Sequence, residues 1–117
     1  MKAELIVILA ASACFSEPDR PAPPVLSITF DKPSVTSPGT LSGSITSSDP
    51  DGLDSIWLDL DSTRVKGWNG SFYTQFTTTF FVTTPPGLTH GTRMPVRITA
   101  RDVTGFVGRL DTAVTVQ

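Results

Sequence analysis

Cys14 and His90 are the only thiol and the only imidazole in this 117-residue chain, so nucleophilic or transition-metal chemistry has little to draw on. His90 stands in the turn-rich segment Thr84-Pro85-Pro86-Gly87-Leu88-Thr89-His90-Gly91, with no cysteine, serine motif or spaced carboxylate beside it. Neither a triad nor a ligand cluster can be built around it. Asp59 and Asp61 have the spacing of a two-carboxylate site, but they alternate with Ile56, Leu58 and Leu60 on an extended run, which makes a flat, solvated surface rather than a cleft. The residues therefore point away from catalysis. Cys14 is different, because it follows the apolar run Leu5-Ile6-Val7-Ile8-Leu9-Ala10-Ala11 and the small residues Ala11-Ser12-Ala13. Small side chains at the third and first positions before a bond suit the cleft of an export signal peptidase, so residues 1–13 read as a signal peptide cleaved at Ala13-Cys14. A bilayer span needs about 20 apolar residues, and this run has roughly half that.

A lone thiol at that bond resembles the lipobox of bacterial lipoproteins. The resemblance implies that Cys14 is acylated, becomes the mature N-terminus and anchors an exported protein to a bacterial membrane in the cell envelope. Two or three acyl chains hold a protein there stably. Ordinary cleavage at the same bond would also export the chain, leaving a free thiol. Residues 14–24 then form a tether, since the prolines at 18, 21, 23 and 24 favour polyproline II, which extends about 3.1 Å per residue and would hold a domain roughly 25–30 Å from the surface.

Residues 25–117 have the length of one domain. Their acidic residues are all Asp, Thr and Ser abound, and Gly and Pro recur at short intervals, which predicts an all-β fold. A formal net charge of −2 with no basic run argues against nucleic acid as a partner. With no second cysteine, stability must come from packing. Period-two alternation predicts strands over 25–30 and 40–46, the latter with Leu41, Gly43 and Ile45 on one face. A strand over 55–61 turns Ile56, Leu58 and Leu60 inward and Trp57, Asp59 and Asp61 outward. Asn69-Gly70 predicts a hairpin joining a short strand around Val65 to a long one over 71–83. A strand over 93–101 has Met94, Val96, Ile98 and Ala100 inward, and a last strand runs from beyond Gly105 to Val116.

The order Asp49-Pro50-Asp51-Gly52-Leu53-Asp54-Ser55-Ile56, then Met94-Pro95-Val96-Arg97-Ile98-Thr99-Ala100-Arg101-Asp102-Val103-Thr104-Gly105, then Thr112-Ala113-Val114-Thr115-Val116 resembles the bacterial Ig-like domains with their cadherin-like and fibronectin-like cousins. The resemblance implies an Ig-like antiparallel β-sandwich of about seven strands after the cleaved signal peptide. It also implies that the loops before the third strand and between the last two share one end, bringing Asp49, Asp51 and Asp54 toward Asp102. Such a group suits calcium, which takes six to eight oxygens; equally, Asp closes turns by accepting backbone amides without a metal. The third, sixth and seventh strands would share a sheet whose solvent side sets Trp57, Asp59 and Asp61 beside Arg97, Thr99 and Arg101, with Trp57 near Arg101 or Thr99 and Asp61 near Arg97. Two readings stand for this face: a charge ladder that fixes register, or a recognition surface, exposed Trp and Arg being enriched at hot spots. Trp68 either stacks on a sugar ring or folds over the sheet edge. The expected function is that of a cell-envelope lipoprotein whose domain is a non-catalytic interaction or spacer module for an envelope protein or a glycan, with no cofactor beyond calcium. The alternative is a calcium-dependent or carbohydrate-binding adhesion module.

Overall fold

Alternating apolar and polar residues in a domain where helix formers are scarce leave two half-buried sheets as the economical way to bury side chains. The computed structural model describes residues 22–117. Cys14, the signal peptide and most of the tether lie outside the described residues. The strands are β1 (Val25–Phe30), β2 (Ser34–Val35), β3 (Thr40–Ser48), β4 (Leu53–Leu60), β5 (Thr63–Asn69), β6 (Gln75–Thr83), β7 (Arg93–Asp102) and β8 (Val107–Val116). They form a three-stranded sheet, β1-β3-β6, and a five-stranded sheet, β2-β8-β7-β4-β5. The described residues form an all-β sandwich of eight strands.

The inner faces follow the alternation. Leu41 and Ile45 of β3, Ile56, Leu58 and Leu60 of β4, Met94, Val96, Ile98 and Ala100 of β7, and Val114 and Val116 of β8 form one buried core. Each buried side chain of Leu or Ile size is worth about 1.5–3 kcal/mol. Gly43 occupies an inward position where a Cβ would meet the Phe80 ring at 3.0 Å, and this lets Phe30 and Phe80 pack edge to face at 6.3 Å.

Four expectations are corrected. β2, two residues between Pro33 and Pro38, pairs in parallel with β8 through Ser34↔Thr115 and Val35↔Val116, so the sandwich is not wholly antiparallel. Asn69-Gly70 is not a hairpin turn between paired strands, because β5 and β6 belong to different sheets. Instead Asn69 Oδ1 accepts the Ser71 amide at 2.7 Å, and Tyr73 N–H donates to the Gly70 carbonyl at 3.0 Å across Ser71 and Phe72, whose φ values are 55° and 63°. That turn carries the chain from one sheet to the other and delays β6 to Gln75. The true two-residue hairpin is Asp61-Ser62, with φ of 48° and 69°, closing the Leu60↔Thr63 pair. Asp61 is therefore a turn residue, its amide donating to the Pro95 carbonyl at 2.9 Å, and not part of the β4 face. Finally Pro24, expected in the tether, is buried with its carbonyl against Gly108, so packing begins one residue before β1.

Candidate functional site

Two places gather polar chemistry: the outer face of the five-stranded sheet, and the loop end where β3, β4, β7 and β8 meet. On the outer face, register sets Trp57 opposite Gly67 of β5 on one side and Thr99 of β7 on the other. Gly67 lacks a side chain, and its Cβ position lies 3.2 Å from the Trp57 ring, so the indole lies across the bare backbone of β5. Two guanidiniums flank it. Arg64 lies 4.8 Å and Arg101 5.8 Å from the ring centroid, each within cation–π range.

Carboxylates hold these arginines in place. Arg64 Nε donates to Asp59 at 3.1 Å, Arg101 Nη2 to Asp54 at 2.6 Å, and Arg97 Nε to Asp111 at 2.6 Å, while Arg109 approaches Asp111 at 3.5 Å. The hydrogen bond from Arg101 holds the Asp54 carboxyl below the usual carboxylate range, and that from Arg97 does the same for Asp111, which in turn raises Arg97. With Arg93 at the edge, arginine outnumbers aspartate on this face of an otherwise acidic chain. A shallow depression of about 130 Å³ is lined by Asp59, Ser62, Pro95, Arg97 and Asp111, well below the roughly 300–1,000 Å³ of a small-molecule site.

Of the residues expected on this face, Trp57, Asp59, Arg97 and Arg101 share it. Asp61 sits in the hairpin turn, and Trp68 pairs opposite the inward Ile56 and packs half-buried against the core. Trp68 thus folds back over the sheet edge. Arg64 is the member that sequence reasoning missed. A β-bulge opposite Leu58/Asp59 shifts the phase of β5 and turns Arg64 toward Trp57, and the short, irregular pattern of that strand concealed it.

At the loop end, Asp49, Asp51 and Asp102 each offer a carboxylate oxygen within 4.8 Å of the others. Asp54, expected with them, is instead drawn onto the sheet face by Arg101. Asp49 and Asp102 are 2% and 1% exposed. Asp49 Oδ1 accepts the Asp51 amide at 2.8 Å, and Asp102 Oδ1 accepts the Thr104 amide, the Thr104 hydroxyl and the Phe106 amide at 2.9, 2.6 and 2.9 Å. Among the described residues neither Oδ2 atom has a hydrogen-bond partner. Burial, together with the neighbouring Asp102, pushes the Asp49 carboxyl up, whereas at Asp102 burial is outweighed by Thr104 and Phe106, which hold it down. Of the two carboxyls, Asp102 is the one whose surroundings favour the ionised form.

No protein-family model matches the chain, and no curated protein shows significant similarity to it.

Proposed function

We propose that this chain is an exported cell-envelope lipoprotein whose single Ig-like domain is a non-catalytic recognition or spacer module, anchored to a bacterial membrane through Cys14. The observation that carries the recognition reading is Trp57 held between Arg64 and Arg101 on an exposed, arginine-rich sheet face. A flat aromatic with fixed cations on both sides suits an anionic partner, protein or glycan, and the carboxylates beneath the arginines fix their positions before binding. The shallow depression leaves little room to enclose a substrate.

Cys14→Ser is expected to move the protein from the membrane to a soluble fraction with its leader still removed; retention in the membrane would end the lipoprotein reading. Trp57→Ala removes two cation–π contacts worth about 0.5–1 kcal/mol each, so stability in urea should fall by about 1–2 kcal/mol with the domain still folded, while capture of partners from native envelope falls sharply. A variant that loses several kcal/mol of stability yet still captures would make Trp57 structural.

The calcium-dependent adhesion reading is favoured by a separate observation: two buried carboxylates with unpartnered Oδ2 atoms beside Asp51. Such oxygens suit a hard cation. Asp49, Asp51 and Asp102 would hold it, and the ion would tie together the loops after β3 and β7. Millimolar calcium should then raise the melting temperature. Asp49→Asn should abolish that rise while stabilising the calcium-free domain, because an amide carries no charge for burial to disfavour. A melting temperature indifferent to calcium leaves the aspartates as turn closures.

A further inference from the structure

We propose that β6 is a pairing edge at which two copies of this chain join into one continuous sheet. Among the described residues β6 is outermost in its sheet; it is nine residues long and pairs with β3 in unbroken register from Ser48↔Gln75 to Thr40↔Thr83. An open edge presents unpaired amides and carbonyls to any other strand, and proteins blunt such edges with charge, proline, bulges or short length. The other edges of this sandwich carry those devices or, for the six-residue β1, are flanked by them. β5 has a bulge and the charges Arg64 and Lys66, β2 is two residues long, and β1 follows Pro23-Pro24, with the Pro24 carbonyl lodged against Gly108 of β8. β6, Gln75-Phe76-Thr77-Thr78-Thr79-Phe80-Phe81-Val82-Thr83, has none of them. Between Gly67 and Thr92 no Asp, Glu, Lys or Arg occurs.

The strand fits itself. Antiparallel pairing about a two-fold axis at Thr79 overlaps the whole of β6 and keeps each side chain on its own face. On the core side Phe76 meets Val82 of the partner subunit, and Thr78 meets Phe80 of the partner subunit. On the outer side Thr77 meets Phe81 of the partner subunit, and Gln75 meets Thr83 of the partner subunit. Half-buried Phe76 is thereby covered, and Phe81, 78% exposed, gains the aromatic to β-branched pairing that stabilises neighbouring strands. Nothing opposes the union electrostatically, because β1, β3 and β6 contain no Asp, Glu, Lys or Arg. The Trp57 face lies on the other sheet and remains free on both copies, so the pair presents it twice.

The mature chain carrying Cys14→Ser is the material for the test. Its sedimentation is expected to approach twice the monomer mass as concentration rises from micromolar to submillimolar. Thr79→Lys, which sets two like charges on the axis from an exposed position, should sediment as monomer with an unchanged melting temperature. Thr79→Cys should cross-link under mild oxidation, because paired Cα atoms about 4.5–5.5 Å apart are within disulfide reach, whereas Ser27→Cys on the outer face of β1 should not. A chain that stays monomeric throughout, or a dimer that neither responds to Thr79→Lys nor cross-links at residue 79, overturns the proposal.

Discussion

Leu58→Ala is expected to cost the domain about 2–5 kcal/mol, and this is the largest single effect among the substitutions considered. Leu58 is fully buried, central in β4, and paired with Ile98 of β7 in the middle of the core. Two buried strands flanked by further strands leave little freedom to collapse into the space vacated, so the cavity adds to the lost transfer energy. A whole domain of this size has only about 5–15 kcal/mol in hand, and there is no second cysteine to supply a covalent brace. Urea melts of Leu58→Ala should show a midpoint shift of that size with an unchanged slope. A loss under about 1 kcal/mol would mean that the β4 phase is wrong.

Asp102→Ala is expected to cost about 2–3 kcal/mol, the scale of hydrogen bonds to a charged acceptor. One oxygen of this buried carboxylate accepts the Thr104 amide, the Thr104 hydroxyl and the Phe106 amide, holding the β7–β8 loop in shape. The cost depends on pH with a definite sign. The carboxyl is held below its ordinary range, so its contribution is present above the unfolded-state value and is lost as pH falls through the folded one. The difference between Asp102→Ala and the parent should therefore be full at neutral pH and shrink in acid. Asp49 runs the other way. Its carboxyl is raised, so the stability it contributes is present at acid pH and lost as pH rises through its folded value. Melts from neutral pH into acid, with Asp49→Asn alongside, should separate the two slopes. A pH-independent deficit in Asp102→Ala would show that the carboxylate charge is not what holds the loop.

The sandwich was legible in the sequence because inward and outward residues of a strand alternate strictly, and Ile56-Trp57-Leu58-Asp59-Leu60 admits no other phase with one buried face. Met94, Val96, Ile98 and Ala100 were placed by the same rule. Trp57 followed from it, as the residue out of phase with its buried neighbours. The leader and the lone Cys14 were read from spacing alone, and those residues lie outside the described part of the structure. Local pattern did not extend to contacts made at a distance. Asn69-Gly70 carries a strong hairpin signal, yet the chain turns at Ser71-Phe72, because Gly70 packs against the Leu53 backbone and the Gly70 amide donates to the Asp54 carbonyl at 2.8 Å. Which strand follows in which sheet is decided by those contacts and not by the turn residues. Asp54 and Asp102 present the same chemistry in sequence, and only the fold separates them: Arg101, one residue from Asp102, reaches across the sheet to Asp54 and leaves Asp102 buried with Asp49. Period fixes faces because it is a property of the strand itself, whereas partners depend on register between strands far apart in the chain, and that register is set by how the whole core packs.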